Sequence, residues 1–323
     1  MDLLRGISII LVTFNHAILF TADNSVPVPH TLDVLNEVFA PVRMPLMVFL
    51  SGLLVAPSLA RGAKAYLRGK FRRVLWPYLA WSVIVLGAVY ASQIRNGDDI
   101  RWSDLSRLLY DPLAHLWFLY DLFAFYMIAL LTKSISPLWI SGCALMMATL
   151  TSDYDVRRFF VLLVFFMAGS WASSYRDQWQ RLLDSRLATM VAAAGGGCVV
   201  VAALLGGGLR YEAWAVPLVA AGIALAIMAA RPVAVADVAR PVRYIGQNSL
   251  IFYLTHWYAT SFGVQLAARW DNGWATVLFG TLAGIFGSAL LCFVARAVAP
   301  VNWLFEAPNN HQRSSTQASE RAE

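Results

Sequence analysis

LLRGISIILVTFNHA, residues 3–17, keeps its apolar character as far as Phe20, close to the roughly 20 residues that a bilayer's hydrocarbon core asks of a helix. Read as a membrane span, it holds two misfits, Arg5 and His16. An ionisable side chain inside a span is costly and is a functional hypothesis by default. The two lie eleven positions apart. That closes about three helical turns, so both project from one face with a rise of about 16 Å between them. One stripe then joins a membrane surface to an imidazole past mid-depth. Each residue also has a plainer reading: Arg5 reaches lipid phosphates, and His16 is a packed, hydrogen-bonded residue. A signal peptide would start with a similar run, but His16 interrupts this one and no A-x-A site follows. The segment is therefore expected to stay as an anchor.

The rest of the 323-residue chain repeats the pattern. It is 59% hydrophobic and 14% charged, with a mean hydropathy of +0.59. Soluble domains carry about a quarter charged residues. Candidate spans fall at 3–20, 38–56, 75–93, 115–131, 136–150, 158–174, 188–205, 213–230, 245–266 and 274–298. The expected fold is all-α, a polytopic membrane helix bundle of about ten transmembrane helices over residues 1–306. The stretch 307–323, APNNHQRSSTQASERAE, is poor in apolar residues and reads as a disordered cytoplasmic tail.

The net charge of +6 would suggest nucleic acid in a soluble protein; here it reads as topology, with no nucleic-acid partner. The 57–74 loop holds Arg61, Lys64, Arg68, Lys70, Arg72 and Arg73 and no acid, so it is expected in the cytoplasm. Alternation then places both termini there, in a cell membrane, with Asp98, Asp99, Asp104 and Asp111 outside. Cys143, Cys198 and Cys292 lie in apolar segments without metal or redox spacing and read as packing residues. No metal site is expected. Gly280, Gly284 and Ser288 have small-xxx-small spacing, a sign of close helix packing.

Four further stretches carry polar groups where lipid should be. In FAPVRMPLMVFLSGLL, residues 39–54, Arg43 lies between Pro41 and Pro45, two prolines expected to loosen the helix beside a protein- or water-lined cavity. Arg43 is a candidate anion or acceptor contact; Ser51 and Gly52 also suit ordinary packing. In HLWFLYDLFAFY, residues 115–126, His115 sits at a span mouth, while Trp117 and Asp121 share a face at i,i+4. His115 also reads as interfacial, and Asp121 as one half of a structural ion pair. In YIGQNSLIFYLTHWY, residues 244–258, Asn248 and Ser249 cap or line a helix that buries His256. The basic loop, finally, satisfies topology and attracts anionic membrane lipid, or else forms a phosphate site.

Together these segments resemble the membrane acyltransferases called acyltransferase 3. The family's D-x-L-R-G-I start and its arginine–ten residues–histidine pattern match MDLLRGISIILVTFNH. Its second-helix run matches MPLMVFLSGLL, its basic segment before a proline matches RGKFRRVLWPYLAW, and its h-x-W-F-L run matches HLWFLYDLFAFY. A late G-x-N-S run matches GQNSLIFYLTH. The five runs keep family order over residues 2–256. The resemblance implies transfer of an acyl group, often acetyl, from acyl-coenzyme A to a carbohydrate or lipid hydroxyl. It implies that His16 is catalytic and Arg5 essential. One departure is that Lys70 and Arg73 stand where the family often has R-x-x-R; lysine keeps the charge and loses the bidentate fork. The hydrolase-like domain appended to some members has no counterpart in these residues.

The expected scheme follows. Acyl-coenzyme A, taken as acetyl-coenzyme A, is a co-substrate; no bound cofactor is expected. Its phosphates dock on Lys70, Arg72 and Arg73, its arm follows the Arg5–His16 stripe, and neutral His16 is the general base on a hydroxyl of a carbohydrate or lipid-linked envelope acceptor. Arg43, Asn248 or Ser249 orients the acceptor or steadies the oxyanion; Ser51, His115, Trp117, Asp121 and His256 complete the candidate substrate contacts. A transporter or flippase for a glycan or lipid suits buried ionisable groups too, and a non-catalytic assembly subunit would tolerate loss of His16.

Overall fold

The computed structural model describes residues 1–308, so residues 309–323 of the expected tail lie outside the described residues. The long helices are α1 (Asp2–Asp23), α2 (His30–Gly52), α3 (Trp76–Asn96), α4 (Trp117–Leu131), α5 (Pro137–Leu150), α6 (Tyr154–Ser174), α7 (Arg186–Leu204), α8 (Val216–Ala230), α9 (Ser249–Ala267) and α10 (Gly273–Ala297). Among the described residues there is no strand. In lipid, backbone groups must be satisfied internally, and a helix does so within one segment.

Among the described residues eight helical stretches are long and apolar enough to cross a membrane. The expected spans at 136–150 and 245–266 do not meet that standard. Helix α5 has 14 residues, about 21 Å of rise against a core of about 30 Å. Helix α9 is long enough, but Thr255, His256, Thr260 and Gln265 dilute its apolar character. Hydroxyls within the helices return to their own backbone: Thr13 Oγ1 donates to the Ile9 carbonyl at 2.9 Å and Thr21 Oγ1 to Ala17 at 2.7 Å. Pro41 and Pro45 leave α2 continuous, although each removes a backbone donor. Of the cysteines, all free, only Cys292 is buried. Cys143 and Cys198 lie on exposed faces of α5 and α7, so the packing reading fails for them.

The chain divides into two compact units, Met1–Ala63 with Ala124–Cys292, and Lys64–Phe123 with the segment from Phe293 onward. The first unit is assembled through glycines that let backbones touch. Gly6 lies against the Val242 carbonyl and Gly246 against that of Asp2, which ties the start of α1 to the short helix Arg240–Gln247. Gly52 faces the Phe166 carbonyl while Gly169 faces that of Phe49, locking α2 to α6. The 280–288 stripe packs as expected: Gly280 meets Val264, Gly284 meets Thr260 and Thr13, and Ser288 Oγ lies in hydrogen-bond contact with Thr255 Oγ1 at 2.9 Å. At Gly169 the obstacle to a side chain is backbone, which cannot rotate away. Gly169→Val is expected to cost at least about 1–3 kcal/mol, read as a lowered melting midpoint of the purified protein, whereas Gly142→Val, with open space around it, leaves the midpoint unchanged.

In the second unit, helix Ala63–Lys70 runs through a π-helical turn, Phe71–Leu75, into α3. Such turns rotate the side chains that follow and recur at functional sites. The C-terminal segment is fastened here. Trp76 Nε1 donates to the Trp303 carbonyl at 2.6 Å, and Arg72 Nη2 donates to that of Ala307 at 3.0 Å.

Candidate active site

His16 is half-buried on α1, where its ring meets three others. The centroid of His256 lies 5.2 Å away, Trp257 is edge-on at 4.7 Å, and Phe20 is stacked at 6.0 Å. Trp257 also meets Phe20 edge-on at 4.8 Å. His256 is 1% exposed, and its Nδ1 lies 3.0 Å from the Phe252 carbonyl. A carbonyl only accepts, so that bond needs the proton on Nδ1 and leaves the lone pair on Nε2. Two imidazoles from α1 and α9, 240 positions apart in sequence, thus share one aromatic-walled cluster.

Beside His16, Asn15 Oδ1 accepts from Arg43 Nη2 at 2.6 Å, while Asn36 Oδ1 accepts from Arg43 Nη1 at 2.6 Å. Arg43 therefore joins α2 to the residue next to His16. Lower on α1, Arg5 Nη2 donates to the Leu50 carbonyl at 3.1 Å. That carbonyl is among the last four of α2, which have no partner within the helix, so Arg5 also caps α2. Tyr126 Oη donates to the adjacent Ser51 carbonyl at 3.2 Å and lies within electrostatic reach of Arg5.

The other candidates separate into groups. Ser51 Oγ donates to Met47 of its own helix. Asn248 Nδ2 donates to the Tyr244 carbonyl at 2.8 Å at the junction before α9, and Ser249 is the first residue of that helix. Seven positions separate Ser249 from His256, about 10 Å along the axis. The structure therefore sets Asn248 and Ser249 about two turns from His256, while Arg43 bonds Asn15, the residue before His16.

In the second unit, His115 is buried in the turn Ala114–Leu116, Asp121 is buried in α4, and Trp117 is edge-on to Phe118 at 6.1 Å. Lys70 Nζ lies 5.3 Å from the centre of the Tyr66 ring. Arg72 and Arg73 both reach Glu306 Oε1 at 3.2 Å. The two arginines read from sequence as a phosphate site already share a carboxylate.

Among the described residues no group of three or more His, Cys, Asp or Glu is placed to hold a metal ion. A cavity of about 540 Å³ between α2, α6, α7 and α8 is walled by apolar groups such as Phe49, Trp179, Ile223 and Met228, and shares no residue with the His16 cluster. A smaller one of about 240 Å³ lies at the Arg5 end of α1, against Leu3, Leu4, Leu50 and Leu53.

Sequence reasoning passed over Trp257, Phe20, Asn15, Asn36, Tyr126 and Glu306. Asn15 sits inside an expected span but reads as packing until its guanidinium partner is known, and Asn36 lies just outside the expected span at 38–56. A family model described as an acyltransferase domain, that of acyltransferase 3, matches residues 1–293. Comparison with curated proteins and with solved structures finds no match.

Proposed function

The chain belongs to the acyltransferase 3 family, and from that premise we propose that it moves an acyl group, acetyl in the first instance, from cytoplasmic acyl-coenzyme A to a hydroxyl of an envelope carbohydrate or lipid-linked glycan. It is an integral membrane O-acyltransferase; the donor, the acyl group, the acceptor, the plasma membrane and the cytoplasmic termini are the proposal. The observation that carries it is the His16–His256 pair at 5.2 Å, on the same helix as Arg5.

In the proposed reaction His16 takes the proton of the acceptor hydroxyl as its oxygen attacks the thioester carbon. The tetrahedral intermediate then expels the coenzyme A thiolate, and the His16 imidazolium returns the proton to that sulfur. His256, with Nδ1–H given to Phe252, keeps a lone pair on Nε2 and holds the His16 tautomer. Trp257 and Phe20 exclude water from the thioester. Arg43 serves the acceptor side; Asn248 and Ser249, nearer the level of Arg5, serve the donor arm. Lys70, Arg72 and Arg73 hold donor phosphates, while Ser51, His115, Trp117 and Asp121 remain substrate contacts in the proposal.

Glu306 competes for the same arginines. Glu306→Gln is expected to lower the KM for acyl-coenzyme A several-fold with kcat unchanged, and Arg72→Gln to raise it, as measured by thiol release at varied donor concentration. If Glu306→Gln leaves KM unchanged and only lowers the melting midpoint, the arginines are fastening the C-terminal segment and the donor phosphates sit elsewhere.

The test of the whole reading is to supply membranes containing the protein with acetyl-labelled acetyl-coenzyme A and count base-labile label in separated glycan and lipid fractions. Label above that of membranes without the protein supports transfer and identifies the acceptor fraction. Transmembrane movement of a glycan lipid without thioester consumption would replace transfer with transport.

A further inference from the structure

Arg43 is 3% exposed, and among the described residues its guanidinium donates to neutral amide oxygens, those of Asn36 and Asn15. Among the described residues no carboxylate lies within ion-pair distance of it. A second guanidinium, Arg210, is close enough to repel it. Arg210 lies over the Tyr211 ring, 5.3 Å from the centroid, and its Nε is buried without a hydrogen-bond partner among the described residues. A buried charge without a counter-charge is strongly unfavourable, and buried Arg43 here lies within electrostatic reach of a second, half-buried guanidinium.

Among the described residues the nearby carboxylates are committed or remote. Glu212 is held by Arg157 at 3.2 Å. Glu37 is exposed and attracts both Arg43 and Arg210 from beyond ion-pair distance. Burial pushes the Tyr211 phenol above its ordinary value, with Arg210 acting against that, so the ring is neutral at physiological pH. Tyr211 is also 3% exposed, packs 5.9 Å from Tyr154, and takes a left-handed backbone at φ +59°. An aromatic residue rarely adopts that conformation, and such strain concentrates at ligand sites.

We propose that Arg43 and Arg210 form a binding site for an anionic group, a phosphate or a carboxylate, carried by the acceptor. Two guanidinium forks suit the paired oxygens of either group. Asn15 is the neighbour of His16 on α1, and in the proposal an anion held here sets a hydroxyl on the same molecule toward the imidazole pair. This deepens the acyl-transfer reading and rests on it for the identity of the ligand as acceptor. The acceptor class becomes a phosphorylated or acidic glycan, with neutral sugars excluded.

The test uses the purified full chain in lipid nanodiscs without any acyl donor, titrated with inorganic phosphate, glucuronate and neutral glucose at constant ionic strength. Binding is followed by calorimetry and by the melting midpoint. Phosphate, glucuronate or both are expected to bind saturably and raise the midpoint by a few degrees at about 100 times Kd; whichever responds identifies the group. Arg210→Gln is expected to weaken that binding at least about tenfold, and Arg210→Lys by less. Removing Arg210 relieves repulsion on Arg43, so both variants are expected to fold. His16→Ala should bind the anion like the native chain, which separates failure of this site from failure of the transfer chemistry. Absent saturable binding, a response to glucose equal to that of the anions, unchanged affinity in Arg210→Gln, or loss of binding in Arg72→Gln in its place would overturn the proposal.

Discussion

Replacing His16 with alanine is expected to abolish measurable acyl transfer while leaving the protein folded. A positioned general base contributes about 10²–10⁴-fold, equivalent to about 3–5 kcal/mol of barrier. The structural loss is smaller. His16 is half-buried, and its ring contacts with Trp257 and Phe20 are worth about 0.5–1.5 kcal/mol each. The effect on rate therefore exceeds the effect on stability. Thiol release from acyl-coenzyme A, at matched protein level and with the melting midpoint recorded alongside, is the check. Retained turnover would remove His16 from the chemistry.

The second large effect is expected at His256, and the choice of replacement carries the information. Its Nδ1–H bond to Phe252 and its 1% exposure already give it a structural task. The proposed positioning role depends on the other nitrogen. Asparagine reaches about as far as Nδ1 and can keep the Phe252 bond; glutamine, one methylene longer, places an amide near the position of Nε2. His256→Asn is expected to lower kcat by about 10²-fold with little change in donor KM, as removal of a group that fixes a tautomer does. His256→Gln is expected to recover part of that loss. Equal activity in Asn, Gln and native proteins, with only the melting midpoint falling, would reduce His256 to a packing residue.

The helical class was legible because apolar runs of membrane length leave the backbone few alternatives. The shared stripe of Arg5 and His16 followed from helical periodicity alone. The pairing of His16 with His256 did not, because it depends on tertiary approach. Gly6 against Val242 and Gly246 against Asp2 bring the Arg240–Gln247 helix onto α1, and α9 follows from there. No local spacing encodes that. Asn15 and Asn36 were hidden for another reason. Neutral amides in an apolar run resemble packing until a buried guanidinium is found between them. Glu306 was missed because the residues around it read as the edge of a polar tail, whereas Ala307 and Glu306 fasten to Arg72. Helix α9 fell short of span hydropathy because of the polar residues that include His256, so the feature that blurred the fold marked the site.

The most direct measurement is stoichiometry. Membranes holding equal amounts of native or His16→Ala protein would receive acetyl-labelled acetyl-coenzyme A, and the thiol released would be compared with the base-labile acetyl ester gained. The expected result is one thiol per ester with the native protein and neither product above background with His16→Ala. Equal ester formation by both proteins, or substrate movement across the membrane with no thiol released, would contradict catalysis at His16.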